Sequence, residues 1–493
     1  MSRSSGILVH ISSLPGKYGI GSMGADAFAF VDFLKETGQK WWQILPLGPT
    51  GYGNSPYQSY SVFAGSELLI SLGKLVEEEL LSESDLADLT RLPSEKVDYD
   101  RLAPHKRRLL KKAYECFEGQ FDYFKEAYYQ FLGEHSWWLD DYALFQALKE
   151  QNTELLWNEW KLPYKKRDVH ALDKAHLTYV ESINFHRFVQ FIFFKQWFEL
   201  KDYANESGIQ LFGDLPLYVA LDSSDVWANQ DLFLLDEEGR PTHVGGVPPD
   251  YFSETGQMWG CPVFDWSRLA ERNYDWWMAR MHFCLKMFDR VRIDHFRGLE
   301  SFWSVPAGET TAIHGEWCPA KGYEMLKLLK SQIGDFPVVA EDLGVITQEV
   351  EALRDEFKLP GMKVLQFGFA SDAANEHLPH NYGRNFVVYT GTHDNDTTLG
   401  WLNSATSVER RNIRRYFKRG RRRALDAILE ATWGSVAELA MMPMQDLLQL
   451  DTKGRMNVPG VAAGNWEWRF EWKQIRPARR RFLKQITEKY NRC

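Results

Sequence analysis

Short runs of apolar and β-branched residues recur along the chain, and most end in a polar or acidic residue. They read ILVHI at 7–11, WWQILPL at 41–47, IQLFGD at 209–214 and VRID at 291–294. Four more follow: VVAE at 338–341, KVLQF at 363–367, VVYT at 387–390 and LAMM at 439–442. Runs this short, apolar almost throughout, are the mark of parallel strands covered on both faces. Between most of them lie stretches with helical spacing, such as ADAFAFVDFLKET at 25–37. Another helix is predicted over 406–432, where Thr406 and Glu409 have the spacing of a capping box. Eight strands alternating with helices predict an α/β fold, a (β/α)8 TIM barrel filling 1–493 as one catalytic domain.

The spacing of the strands is uneven. More than a hundred residues separate the second and third, far beyond one crossover helix. Residues 74–92 are acidic and leucine-rich, and 105–150 and 175–204 read as long helices. In the former, Leu110, Ala113, Tyr114, Phe117, Phe121, Phe124 and Tyr128 keep to one helical face. This predicts an inserted, mainly helical subdomain over 67–205. A second insertion is predicted over 222–265, with its centre, GGVPPDYFSETGQ at 245–257, a loop by composition. Residues 245–260 are the candidate active-site lid, with Tyr251, Phe252 and Trp259 as apolar cover. The last strand lies close to the end of the chain, so no C-terminal β-domain is expected.

Composition narrows the class. The 493 residues carry a formal net charge of −9, and 44% are hydrophobic, enough for a large core. An acidic balance gives no support for nucleic-acid binding. The basic run from Arg410 to Arg423 reads as a solvated helix face. No apolar stretch is long enough to span a membrane, and the N-terminus lacks a signal-peptide apolar region. The five cysteines form no CxxC pair, which argues against a disulfide framework or a structural zinc site. A cytoplasmic protein is expected. Tryptophan stands out, with 19 residues: most should fill the core, but flat rings also suit the apolar faces of sugars.

Barrels of this kind gather their chemistry at the carboxyl ends of the strands. There the sequence places four acids: Asp214, Asp294, Glu341 and Asp394. Converging acids suit either a cation or glycosidic cleavage. A hard cation wants closely spaced oxygen ligands on a loop, and no such loop is present. Asp294 and Asp394 instead neighbour an Arg, His or Asn. Glycoside chemistry needs one ionised and one protonated carboxyl. Arg292, two residues before Asp294 on the same strand face, would keep Asp294 ionised. Burial and neighbouring negative charge would keep Glu341 protonated. Asp342 and Asp396 read as supporting structure, and His295 and His393 as ordinary histidines or donors to sugar hydroxyls.

Several of these segments resemble a known family. RIDHFRG at 292–298, AEDLG at 340–344 and THDND at 392–396 are similar to motifs of the α-amylase clan. The finer resemblance is to glycoside hydrolase family 77, the amylomaltases or disproportionating enzymes. SSLPGKYGIGSMG at 12–24, LPLGPTGYGNSPYQSYSVFAGS at 45–66 and FGDLPLYVALDSSDVWAN at 212–229 carry it, with GVPPDYFSETGQMWGCPVFDW at 246–266 and VPGVAAGNWEWR at 458–469. α-Amylases have a histidine just after the third-strand acid, where this chain reads DLPLYV, itself a mark of the transferase family.

The resemblance implies a retaining 4-α-glucanotransferase acting on maltooligosaccharides and on starch- or glycogen-derived α-glucans, with no cofactor and no metal. It implies Asp294 as nucleophile, Glu341 as general acid/base and Asp394 as the third acid. It implies glucan contacts at Tyr57, Asp214, Gln257, Trp259, Arg292, His295, His393 and Asn465. The rival readings are an α-amylase-type hydrolase with the same carboxylates, a non-catalytic glucan-binding protein and a metal-dependent hydrolase.

Overall fold

A computed structural model describes residues 3–153, 155–249, 253–418 and 421–493, with only the backbone of 421–423. Its strands are β1 (Ser4–Leu8), β2 (Trp41–Gln43), β3 (Gln210–Leu215), β4 (His243–Val247), β5 (Gln257–Pro262) and β6 (Arg290–Ile293). They continue with β7 (Ser301–Pro306), β8 (Glu316–Pro319), β9 (Val338–Ala340), β10 (Gly361–Val364), β11 (Phe386–Tyr389) and β12 (Leu439–Pro443).

Eight of these form one all-parallel sheet in the order β10-β11-β12-β1-β2-β3-β6-β9. They are the eight runs picked out by pattern. The remaining seam, between β9 and β10, is closed by the Ala340 N–H donating to the Pro360 carbonyl at 2.9 Å. A side chain completes the closure. Asp342 Oδ1 accepts the Met362 N–H at 2.6 Å, and Arg354 bonds the other oxygen. The supporting role expected of Asp342 is thus the closing of the barrel. Gly361 is required there, because a Cβ would stand 2.4 Å from Asp342 Oδ2.

Alternation along the strands fills two cores. Trp41, Phe212, Val339, Met362, Val364, Val387, Tyr389, Leu439 and Met441 pack together inside the barrel. Trp42, Leu211, Val338, Val388, Ala440 and Met442, one position out of step, join the outer core with the helices. This two-sided burial is why the strands read as unbroken apolar runs.

Between β2 and β3 lie long helices over Tyr99–Gly119, Phe121–Gln151, Val169–Thr178 and Val180–Glu206. The helix expected over 105–150 is two, broken at Gln120. Phe117 and Phe188 meet across them with ring centroids 4.8 Å apart. The helix expected over 406–432 is also two, Ser407–Phe417 and Arg421–Gly434, the first ending on left-handed Lys418 at φ 50°. Its capping box is formed: Thr406 N–H donates to Glu409 Oε2 at 2.7 Å, and Glu409 N–H to Thr406 Oγ1 at 3.2 Å. Arg410, Arg411, Arg414, Arg415 and Lys418 are exposed, while Arg419 and the side chains of 421–423 lie outside the described residues.

The loop reading of 245–257 needs correction. Residues 243–247 and 257–262 are strands β4 and β5 of an antiparallel sheet ordered β5-β4-β7-β8. The paired glycines mark close packing rather than a turn. A Cβ on Gly245 would sit 2.5 Å from Tyr218 Cζ, and one on Gly246 2.3 Å from the Gln257 carbonyl oxygen. Tyr251 and Phe252, named as lid cover, lie outside the described residues. Among the described residues no strand follows β12, and no helix is long and apolar enough to cross a membrane.

Candidate active site

Strand register assembles the site. Asp214 on β3 and Arg292 on β6 are Cα partners, as are Ile293 and Ala340 on β6 and β9. Asp294 and Glu341 therefore leave neighbouring strands at the same level, and such strands run about 4.8 Å apart. The Glu341 N–H donates to the Ile293 carbonyl at 3.1 Å, continuing the ladder past the last strand residue.

Arg292 is buried and divides its guanidinium between two acids. Its Nε donates to Asp214 Oδ2 at 2.9 Å and its Nη2 to Asp294 Oδ1 at 2.7 Å. Burial, with Asp214 and Asp394 adding to it, pushes the Asp294 carboxyl up to about 6 against the pull of Arg292. Arg292 thus limits a rise that burial drives; it does not reverse it. Glu341 is pushed further, to about 8, by burial and then by the charge of Asp294. Main-chain donors oppose that rise: His295 N–H to Oε2 at 2.8 Å and Leu343 N–H to Oε1 at 3.0 Å. His295 can present its N–H there because its backbone is left-handed, at φ 52° and ψ 49°.

On the other side the Tyr57 hydroxyl donates to Asp214 Oδ2 at 2.8 Å and lies 2.9 Å from His393 Nε2. The two rings stack, with centroids 5.3 Å apart and 14° between planes. His393 Nε2 is also 3.2 Å from Asp394 Oδ2, and Asn457 Nδ2 donates to Asp394 Oδ1 at 2.6 Å. Burial would raise Asp394, but His393 and Asn457 outweigh it and hold this carboxyl below the ordinary aspartate range. Three acids at one mouth thus differ in proton affinity: Glu341 highest, Asp294 intermediate, Asp394 lowest.

The other candidate positions divide. Trp259 on β5 stands edge-on to His295, with ring centroids 4.9 Å apart. Its indole N–H reaches Gln257 Oε1 at 3.3 Å, and its carbonyl accepts Gln58 Nε2 at 3.1 Å, which ties β5 to the 45–66 loop. His295 is half-buried, and desolvation of its ring lowers its pKa to about 4, so at neutral pH the ring is uncharged. Asn465 is set apart. Its Oδ1 accepts the Val458 N–H at 2.9 Å and its Nδ2 donates to the Val461 carbonyl at 2.7 Å, so the amide shapes its own loop. Asp396 is supporting structure: it accepts Thr452 Oγ1 at 2.7 Å and the Thr397 N–H at 2.8 Å. Pattern reading missed Asn457, Arg455 and Trp466. The last lies within the motif at 458–469, but nothing in the sequence links Asn457 to an aspartate 63 positions earlier.

A parallel barrel with two side-by-side carboxyls of unequal proton affinity, and a third acid held ionised, has the equipment of a glycoside-cleaving (β/α)8 enzyme. The comparisons with known proteins give the particular family. Residues 9–474 match the family model described as 4-alpha-glucanotransferase. The chain belongs to this family, glycoside hydrolase family 77. It is 48% identical to a 4-alpha-glucanotransferase of Thermus thermophilus, over 99% of both chains. It is 42% identical to the chloroplastic/amyloplastic enzyme of Solanum tuberosum, over 95% of this chain and 82% of that one. Among solved structures it is similar to the amylomaltase from Streptococcus agalactiae in complex with acarbose. That match has a TM-score of 0.97 and 40% identity, over 99% of each chain.

Proposed function

We propose that this enzyme transfers a segment of an α-1,4-glucan to the 4-hydroxyl of another sugar by a double displacement at Asp294 and Glu341. One observation carries the reading: the two carboxyls leave adjacent strands and differ in proton affinity in the required sense. Retaining glycosidases hold their pair roughly 5–5.5 Å apart, too close for an intervening water, and the origin of the two carboxyls on adjacent parallel strands, which run about 4.8 Å apart, supports a pair of that kind.

In the first step Glu341 gives its proton to the glycosidic oxygen while Asp294 attacks the anomeric carbon. That bond breaks, a glycosyl-aspartate ester forms and the leaving sugar carries the proton away. Arg292 occupies Asp294 Oδ1, which leaves Oδ2 as the attacking oxygen. Asp394, ionised, offsets the positive charge that builds on the ring. In the second step the Glu341 carboxylate takes the proton of an incoming 4-hydroxyl. The new α-1,4 bond forms and the ester breaks, so both carboxyls regain their starting states. Asp214, Tyr57, His393, His295, Gln257 and Trp259 are the sugar contacts in this reading, and Asn465 acts through its loop. Maltooligosaccharides and starch- or glycogen-derived glucans in the cytoplasm are the donors and acceptors.

Water is the competitor in the second step, and a bound acceptor wins through orientation. Of the lid assigned to 245–260, Gly245–Val247 belong to β4 and Gln257–Gly260 to β5.

Incubation with maltotriose and chromatography of the products tests the proposal. A ladder of longer maltooligosaccharides with free glucose is expected. Shorter products alone would replace the transferase with a hydrolase. Asp294→Asn should abolish turnover and leave glucan binding largely intact.

A further inference from the structure

The turn that carries Asp394 is latched by a stretch well after it in sequence. Thr452 Oγ1 donates to Asp396 Oδ2 at 2.7 Å, at the near end of this stretch. Arg455 Nη2 donates to the main-chain carbonyl of Asp394 at 2.7 Å, and its Nε to the carbonyl of Asn457 at 2.7 Å. One guanidinium thus braces the backbone of both residues. Asn457 Nδ2 then meets Asp394 Oδ1 at 2.6 Å. The far end is fixed too: the Trp466 N–H donates to the Met456 carbonyl at 2.9 Å, and its ring lies 6.0 Å from that of His393. With His393 Nε2 3.2 Å from Oδ2, each oxygen of Asp394 has its own partner, one from the preceding residue of the same turn and one from the later stretch that latches it.

We propose that Asn457 is a positioning residue for Asp394, with Arg455 as its brace. Held this way, the carboxylate offers its remaining lone pairs in an orientation that suits the flattened, positively charged ring of the transition state better than the relaxed sugar. The inference rests on the reading of Asp394 as the third acid and goes beyond it by assigning what orients that acid. An interaction realised mainly in the transition state affects kcat rather than KM.

The test compares Asn457→Ala, Asn457→Asp and Asn457→His with Asp394→Asn in maltotriose disproportionation. Asn457→Ala should lower kcat by about 10- to 100-fold, the range for losing one hydrogen bond to a charged group, with KM changed by less than about 3-fold. Affinity for a glucose-configured iminosugar cation should fall with kcat, because both depend on the oriented charge. Asn457→Asp keeps the shape but sets a like charge against Asp394, so its loss should be larger. It also serves if the alanine variant fails to fold. Asn457→His places Nδ1–H near the position of the amide N–H and should recover most of the loss. If Asp394→Asn is inactive while Asn457→Ala keeps the wild-type kcat, or raises KM alone, the positioning role is overturned and the reading of Asp394 stands. If Asp394→Asn itself turns over normally, the reading of Asp394 falls, and this inference with it.

Discussion

The main-chain N–H of His295, the residue directly after Asp294, donates to Glu341 Oε2 at 2.8 Å. The backbone turn that ends the strand of one carboxyl therefore orients the other. The charge of Asp294 raises Glu341, so the two protonation equilibria belong to the pair.

A bell-shaped pH dependence follows for kcat/KM. In the proposed mechanism the working form has Asp294 ionised and Glu341 protonated. Asp294 is raised to about 6 and Glu341 to about 8. Below the lower value the nucleophile is protonated; above the upper one the acid is lost. Initial rates of maltotriose disproportionation between pH 4 and 10, on the order of the usual assay span, should peak between the two limbs. A rate that keeps climbing well above the upper limb would remove Glu341 as the proton donor.

Arg292→Lys keeps a positive charge but not the fork that serves Asp214 and Asp294 together. Arg292 lowers the Asp294 pKa, so weakening it raises that value. The acid limb should move to higher pH, and kcat/KM at neutral pH should drop by about 100-fold. A lower rate with an unmoved acid limb would mean that Arg292 acts on sugar binding and not on Asp294.

Replacing 249–255 with a short Gly-Ser link leaves β4 and β5 in place and shortens only what lies between them. Free glucose should rise relative to longer chains as water gains access to the glycosyl-aspartate. An unchanged ratio would remove this segment from the control of transfer.

Asp342→Ala leaves the Met362 N–H and Arg354 without their carboxylate at the β9–β10 seam. Removing one member of a buried pair costs about 3 kcal/mol. A clear drop in the denaturation midpoint is expected in urea unfolding followed by tryptophan fluorescence. A midpoint equal to that of the wild type would mean that the backbone bond from Ala340 closes the barrel unaided.

The sequence by itself determined the eight barrel strands and the acids that end four of them. Strands buried on both faces must be apolar throughout, and the residue that leaves such a run at the mouth is visible as an interruption. What pattern reading could not determine were contacts between distant segments. Gly245 and Gly246 carry the composition of a turn, yet they lie in a strand paired with β5 and β7, and are glycine because Tyr218 and the Gln257 carbonyl approach too closely for any side chain. Asn465 sits in the family-like motif at 458–469, yet its amide is engaged by Val458 and Val461. Asn457 and Arg455 reach Asp394 only because the chain returns to the mouth after β12. The unequal proton affinities of Asp294, Glu341 and Asp394 were likewise decided by tertiary structure. They depend on burial and on which donors arrive from other segments, and neither is a property of local sequence.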